Sequence, residues 1–172
     1  MKKDEGDPIG EEVKECNAYG PDLAVDIHNN AGGGDGGEVF YHHGGGKGKT
    51  LAENILAEIV KVGQNSRGIK TRVNSQGKDY YAFIRNTSCP AVIVECAFVD
   101  NATDLQILAT ESQRKAMGVA IAKGILTTLG VAYQSEKGYW KVQVGACLYR
   151  ESAEALQKKI KAVGFDAFIV KE

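Results

Sequence analysis

Two side chains that could move protons or bind a metal each follow a run of apolar residues. Glu95 comes directly after Ala-Val-Ile-Val at positions 91–94, and His28 closes the segment Asp-Leu-Ala-Val-Asp-Ile-His at positions 22–28. Consecutive apolar residues, most of them β-branched, are typical of a strand that is covered on both faces. Because ligands of open α/β sheets bind beyond the carboxyl ends of strands, we expect both side chains to lie where a ligand would bind.

A histidine and a glutamate in these places fit hydrolysis by a bound zinc ion. Catalytic zinc takes three protein ligands and leaves one position for water, while a nearby Glu acts as base and acid. In this interpretation His28 is a zinc ligand and Glu95 moves the proton. The plainer alternatives are a hydrogen-bonded structural His28 and an exposed or arginine-paired Glu95. His42 and His43 flank a glycine-rich loop, and we expect them to be solvated rather than ligating.

A glycine-rich segment offers a different chemistry, nucleotide binding. Residues 43–50 read His-Gly-Gly-Gly-Lys-Gly-Lys-Thr and lie between a predicted strand and a predicted helix. Phosphate-binding loops read G-x-x-x-x-G-K-[ST], and their first glycine permits the tight turn. Because His43 stands where that glycine is required, a nucleotide-binding protein is only a distant alternative.

Composition excludes several classes of protein. The chain has 172 residues, of which 43% are hydrophobic and 25% are charged, as in ordinary globular proteins. A net charge of -1 argues against nucleic acid as a partner. The sequence has neither an apolar run that could span a membrane nor, at its start, the apolar core of a signal peptide. Its 4 cysteines are scattered, which is typical of buried thiols rather than of a metal cluster or a disulfide framework.

Hydrophobic periodicity predicts strands that alternate with helices over the first 130 residues. Helical spacing indicates helices over residues 10–19, 50–62 and 112–129, with Ser112 as the expected cap of the last, and a short helical piece over 104–108. Strands are expected over residues 23–28, 38–41 and 91–94, whereas residues 63–78 are polar and unpatterned. This alternation is typical of an α/β sheet with helices on its faces.

The end of the chain is predicted to form a separate, small unit. Residues 131–137 are polar and unpatterned, as expected of a linker. A strand over residues 139–144, a helix over 152–162 and a strand over 165–170 would make one βαβ unit within residues 138–172. That size is borderline for independent folding.

Three segments together resemble the zinc-dependent N-acetylmuramoyl-L-alanine amidases of bacterial cell walls and phage lysins. They read DLAVDIHNNA at 22–31, GEVFY at 37–41 and IRNTSCPAVIVECAFVDN at 84–101. The resemblance implies a mixed, mostly parallel sheet covered by helices, in a catalytic domain over residues 1–130. It also implies cleavage of the amide between N-acetylmuramic acid and the L-alanine of the stem peptide. It assigns Zn2+ binding to His28, catalysis to Glu95, and substrate binding to Asn30 and Arg85.

The tail resembles one repeat of the SPOR peptidoglycan-binding domain, in residues 139–146, 153–156 and 164–167. The two resemblances imply that the partner is peptidoglycan, both glycan strands and stem peptides, and that the protein acts on the bacterial cell wall as an autolysin or endolysin. Trp140 and Tyr149 could pack on sugars, although simple burial is the plainer interpretation. Because a SPOR fold has two βαβ halves and this chain offers one, we expect self-association through the repeat.

The sequence departs from the amidase pattern before His28. The first strand of the family supplies a histidine in a Gly-His-Gly loop and is followed by a Glu ligand, and Glu11 and Glu12 do not match that ligand. One ligand of three does not bind zinc at useful affinity. We therefore expect a catalytic domain without its first strand, whose missing part lies upstream or on another chain. A non-catalytic peptidoglycan-binding protein is the alternative function.

Overall fold

The computed structural model describes residues 8–134 and 144–171, which contain six helices and four strands. In chain order these elements are α1 (Pro8–Tyr19), β1 (Ala24–Asn30), β2 (Gly37–Tyr41), α2 (Gly46–Lys61), β3 (Ser66–Lys70), α3 (Ala82–Asn86), β4 (Ala91–Phe98), α4 (Ala102–Leu108), α5 (Glu111–Leu129) and α6 (Arg150–Ala162).

The four strands form one mixed sheet in the order β1-β4-β2-β3. Strand β1 runs parallel to β4, and β2 runs parallel to β3, whereas β2 and β4 are antiparallel. The prediction of a mixed, mostly parallel sheet covered by helices is therefore confirmed. Strand β4 lies inside the sheet, which explains its nearly continuous apolar sequence.

Helices α2 and α5 cover one face of the sheet. The core on this face includes Leu51, Ile55 and Ile59 of α2, packed with Val92 and Val94 of β4. Helices α2 and α5 approach closely because α5 has a glycine at their contact: a Cβ on Gly124 would lie 2.5 Å from the Cα of Ile55. Complete burial of each such aliphatic side chain contributes roughly 1.5–3 kcal/mol.

The opposite face carries the candidate site at one end of its apolar surface. Ala91 and Ile93 of β4 pack there with Phe40 of β2 and with residues of α1 and α3. Since side chains alternate along a strand, Glu95 lies on the same face as Ile93. The sequence predicted Glu95 at the carboxyl end of its strand. This prediction is wrong, because β4 continues to Phe98 and Glu95 lies within it.

Two local predictions are wrong. Thr110, not Ser112, caps α5: its Oγ1 accepts from the backbone N–H of Gln113 at 3.2 Å, and Gln113 Oε1 accepts from the backbone N–H of Thr110 at 2.9 Å. Only the hydroxyl at 110 has a glutamine three residues later, which makes this reciprocal pair possible. The second wrong prediction is the irregular segment over residues 63–78, which contains strand β3. The sequence does not indicate this strand, because its polar residues lack the apolar alternation of a half-buried strand.

The tail is described by itself. Contacts divide the chain into residues 1–134 and 135–172, while the domain limits 1–130, 131–137 and 138–172 stay a prediction. Helix α6 confirms the helix expected over 152–162. The strand expected over 165–170 is wrong, because no strand pairs with those residues in the described part of the chain. The strand expected over 139–144 lies outside the described residues except for its last one. Among the described helices, none has the length and apolarity that a membrane span requires.

Candidate functional site

Three titratable side chains lie side by side across three neighbouring strands. In the sheet register His28 of β1 stands opposite Glu95 of β4, and Glu95 stands opposite Glu38 of β2. Directly opposed residues project from the same face, with Cβ atoms about 4.5–5.5 Å apart in antiparallel pairs. The structure thus brings together His28 and Glu95, the two residues that the sequence proposed, and adds Glu38.

Glu38 is a buried carboxylate with three donors. Its Oε2 accepts from Arg67 Nε at 2.8 Å and from Lys70 Nζ, and its Oε1 accepts from Asn30 Nδ2 at 3.0 Å. Burial opposes its ionisation, but the hydrogen bonds and positive charges of Lys70 and Arg67 outweigh burial and hold the pKa of Glu38 below its ordinary value. Glu38 therefore remains charged next to Glu95.

Glu95 has the opposite environment. Its Oε2 is buried and has no hydrogen-bond partner within the described residues. Burial raises the pKa of Glu95, and the negative charges of Glu38 and Asp26 raise it further, against the opposing effect of His28. Neighbouring carboxyl groups whose pKa values are pushed apart are typical of acid–base sites, because the group with the raised value can both accept and donate a proton near neutral pH.

His28 faces solvent beside these carboxylates. Its side chain is 52% exposed, and its Nε2 lies 2.8 Å from Oδ2 of Asp26. Residues 26 and 28 alternate onto one face of β1, and beyond an irregularity in the pairing after His28 the amide of Asn30 reaches Glu38. Asn30 uses its amide to bond Glu38 and the backbone N–H of Ala31. Its substrate-binding role stays a prediction.

The side chains around Glu95 do not by themselves assemble a three-ligand zinc site. In the described part of the chain His28 supplies one imidazole, Asp26 contacts that imidazole, and Glu38 already pairs with two cations. The unpartnered oxygen of Glu95 fits a group that a bound water or substrate would complete. Zinc at His28 therefore requires ligands beyond these side chains.

Loop residues that precede β2 are fixed by carboxylates that follow β4. The backbone N–H groups of Gly32 and Gly33 each donate to Asp100 Oδ2 at 2.8 Å. Buried Asp104 accepts from the backbone N–H groups of Gly36 and Phe98. This glycine-rich loop is therefore held against the end of β4, next to the strands that carry Glu95 and Glu38.

Arg85 is not brought to the His28–Glu95 group. Its Nη1 donates to the backbone carbonyls of Asp79 at 2.6 Å and Tyr80 at 3.0 Å. It lines an open cavity of about 240 Å³ beside His42 and Ala91, where β4 begins. Glu95 lies four residues further along this strand, and the substrate-binding role of Arg85 stays a prediction.

His42 and His43 are half-exposed, and both rings also contact a buried carboxylate. His42 Nε2 and His43 Nδ1 lie 2.9 and 2.8 Å from the same oxygen, Oδ2 of Asp79. No local sequence pattern could reveal this group, because His43 and Asp79 are 36 residues apart in the sequence. Local patterns could not reveal the ion pairs of Glu38 either, because Arg67 and Lys70 are 29 and 32 residues away from it.

Comparison with known families agrees with the sequence resemblance. The N-acetylmuramoyl-L-alanine amidase model matches residues 1–127, and the SPOR domain model matches residues 93–171. The sporulation-specific N-acetylmuramoyl-L-alanine amidase of Bacillus subtilis (strain 168) is 28% identical over 164 residues. The amidase CwlM of Bacillus licheniformis is 30% identical over 160 residues. These matches cover 94% and 90% of this chain but only 62% and 59% of the two relatives.

Solved structures share the fold. Cwp6 from Clostridium difficile superposes with a TM-score of 0.70 and 40% identity, over 75% of this chain and 21% of that protein. The catalytic domain of CwlV, an N-acetylmuramoyl-L-alanine amidase from Bacillus (Paenibacillus) polymyxa var. colistinus, has a TM-score of 0.63 and 25% identity, over 77% of this chain and 71% of that domain. Since the amidase model covers most of the sequence, the chain belongs to the N-acetylmuramoyl-L-alanine amidase family.

Proposed function

We propose that the chain serves in hydrolysis of the amide between N-acetylmuramic acid and the L-alanine of the stem peptide in peptidoglycan. The observation that carries this proposal is the pair of opposed carboxylates, in which Glu38 is an anion paired with two cations and Glu95 keeps a buried oxygen without a partner among the described residues. The family of the chain and the names of its relatives support the substrate class.

Glu95 is assigned the proton transfer. Its carboxylate takes a proton from the attacking water and gives a proton to the amine that leaves the acyl group. Burial raises the pKa of Glu95, so the free energies of its two protonation states lie closer together at neutral pH than those of an exposed glutamate, which favours both steps. Glu38 supports this role as a fixed negative charge on the neighbouring strand.

His28 is proposed as one protein ligand of a catalytic Zn2+. When bound, such an ion polarises the scissile carbonyl and acidifies its water. Because the side chains around Glu95 supply a single imidazole, tight zinc binding at His28 is proposed only where further ligands are provided. Asn30 and Arg85 are retained as proposed substrate contacts, Asn30 through its position beside Glu38 and Arg85 through its place in the cavity at the start of β4.

The test is the substitution Glu95→Gln in a fusion protein. In this fusion, the part of one of the two Bacillus amidases that precedes the region matched by this chain is joined to the start of this chain. We expect dye release from labelled cell walls to fall by roughly 10²–10⁴-fold while bound zinc is unchanged, since Gln keeps the shape but cannot shuttle a proton. Glu53→Gln on the exposed side of α2 is the matched control and should keep the rate. A Glu95→Gln protein with a near wild-type rate would reject the role of Glu95, and one that loses zinc would make it a ligand.

A second proposal concerns the tail, where the SPOR match supports peptidoglycan binding and action on the cell wall. Helix α6 has no buried residue, and Tyr149, Phe165 and Phe168 beside it are exposed. We infer that a second copy of the chain covers this apolar surface. Light scattering of the full chain should show a concentration-dependent dimer that Phe168→Glu abolishes and Lys159→Glu preserves. A monomer at all concentrations would refute the pairing, and pelleting with sacculi tests peptidoglycan binding separately.

A further inference from the structure

We propose that His42, His43 and Asp79 form a binding site for a divalent transition metal, separate from the His28–Glu95 group. Within the described residues, these three side chains are the one group of histidine, cysteine and acidic residues whose ligand atoms converge, all within 4.8 Å of one another. Two imidazoles and one carboxylate are the donors preferred by Zn2+, Co2+, Ni2+ and Fe2+.

The distances fit a shared ion. His42 Nε2 and His43 Nδ1 lie 2.9 and 2.8 Å from Asp79 Oδ2. Adjacent ligands that are each 2.0–2.1 Å from an octahedral metal are separated by about 2.9 Å. Each imidazole nitrogen is thus spaced from the carboxylate oxygen as neighbouring ligands are, and the two nitrogens lie within 4.8 Å of each other. An ion would therefore require local adjustment of side chains rather than a new backbone path.

The carboxylate is held in place before any ion arrives. The side chain of Asp79 is 3% exposed, and its Oδ1 accepts from the backbone N–H of His43 at 2.9 Å. Arg85 donates to the backbone carbonyl of the same aspartate, and Val73 and Asp79 form an isolated antiparallel bridge. A ligand fixed by such contacts loses little conformational freedom when a metal binds.

The two imidazoles leave the site open to solvent. His42 is 50% exposed and His43 is 41% exposed, and their rings stack with centroids 4.7 Å apart. Three protein ligands with solvent on the remaining side match sites that keep positions for water, rather than closed four-ligand structural sites.

The group is distant from Glu95. It follows the end of β2 at Tyr41, which stands opposite Val92 near the start of β4, whereas Glu38 near the start of β2 stands opposite Glu95. The four residues from Glu38 to His42 span roughly 13 Å at 3.3 Å per residue. One ion cannot bind at both places.

Hydrogen bonds assign the tautomers of the two neutral rings. His42 Nδ1 accepts from the backbone N–H of Gly44 at 3.0 Å, so Nε2 carries the ring proton and lies 2.9 Å from Asp79 Oδ2. His43 donates from Nδ1. A metal on His42 Nε2 and His43 Nδ1 requires the ring proton of each neutral imidazole on the other nitrogen, and the Gly44 amide exchanges its imidazole acceptor for water.

The experiment is a titration of the full chain with Co2+ alone, followed by visible absorption, and a parallel titration with diamagnetic Zn2+ alone, followed by 15N NMR of the histidine rings. We expect one ion per chain, with reversal of both tautomers and a shift of the Gly44 amide. His42→Gln should weaken binding by at least 10–100-fold, because it removes a ligand and not only an outer partner. Asp79→Asn should do the same, and His28→Gln is the matched control that keeps this binding.

His42→Gln keeps the test informative if Asp79→Asn does not fold, because the ring of His42 is half-exposed, and circular dichroism verifies its fold. Binding that His28→Gln removes and His42→Gln leaves intact would overturn the proposal. So would a chain that takes up no Co2+ at millimolar concentration, or that binds Zn2+ with no change in the His42 and His43 tautomers. In those cases Asp79 would serve only as a hydrogen-bond acceptor.

Discussion

The His42–His43–Asp79 group and the His28–Glu95 group lie at opposite ends of the paired strands β2 and β4. They differ in how many hydrogen bonds the carboxylate accepts. Asp79 accepts hydrogen bonds from the backbone N–H and the ring of His43 and lies 2.9 Å from His42 Nε2. Burial opposes the ionisation of Asp79, but these hydrogen bonds and the charges of both imidazoles outweigh burial and hold its pKa below the ordinary value. Glu95 has a buried oxygen without a partner, and burial raises its pKa. The residue types are similar at the two ends, so the number of donors aimed at the carboxylate decides which end stabilises the fold and which end is suited to proton transfer.

The largest effect on stability is expected from removing the negative charge of Glu38, which lies beside Glu95. Glu38→Ala should lower the free energy of unfolding by about 3 kcal/mol, because it leaves Arg67 and Lys70 without their anion. It should also lower the pKa of Glu95, since the negative charge of Glu38 is one of its causes. Urea unfolding measures the first effect and carboxyl NMR titration the second. Glu53→Ala on α2 is the control, and equal stability of both variants would contradict the role given to Glu38.

A smaller loss is expected at the other end. Asp79→Asn should cost roughly 1–3 kcal/mol at neutral pH, because a neutral amide replaces a carboxylate that accepts two hydrogen bonds from His43 and contacts the ring of His42. The pKa of Asp79 is lowered on folding, so its contribution is present above the ordinary aspartate range and is lost as the pH falls through the folded-state value. Unfolding curves measured across acidic pH should therefore converge for the two proteins. A difference that persists at the lowest pH would show that the side-chain charge is not the cause.

For Glu95, neutralising the side chain is expected to stabilise the fold instead of destabilising it. Glu95→Gln should raise the free energy of unfolding by about 1 kcal/mol at neutral pH, the usual direction when a strained functional group is neutralised. Since folding raises the pKa of Glu95, the wild-type protein loses stability as the pH rises from the ordinary glutamate range through the folded-state value. The stabilisation should therefore grow with pH over that window and be absent below it. A destabilised Glu95→Gln protein would mean that its orphan oxygen has a partner in solution.

The smallest effect is expected from His28→Ala. The side chain is exposed and contacts one carboxylate, so the free energy of unfolding should change by less than about 0.5 kcal/mol. Zinc binding at this end should be weak in the chain alone, because one imidazole is a poor site. Isothermal titration with and without EDTA checks this expectation. Stoichiometric, tight zinc that His28→Ala removes would show that other residues complete the site.

The sequence predicts what depends on local patterns and loses what depends on distant partners. Apolar runs and helical spacing identified β1, β2, β4, α2 and α5, and strand ends indicated His28 and Glu95 as neighbours. Strand β3 was missed because its charged residues are exposed or bonded to Glu38, which no apolar alternation can reveal. The His42–His43–Asp79 group was missed because its members lie far apart in the sequence and meet only after the loop that ends at Asp79 folds back. The strand predicted over residues 165–170 was wrong, because hydrophobic periodicity does not supply a strand to pair with.

The loop that precedes β2 owes its shape to carboxylates that follow almost 70 residues later. Asp100 and Asp104 take the amide protons of Gly32, Gly33 and Gly36 across sequence separations of 67 and 68 residues. Gly32 and Gly33 are exposed and Gly36 is buried, and we expect hydrogen exchange of all three amides to report opening of the segment after β4. We therefore expect the loop and that segment to form as one cooperative unit, and to form late, because they close a long stretch of chain.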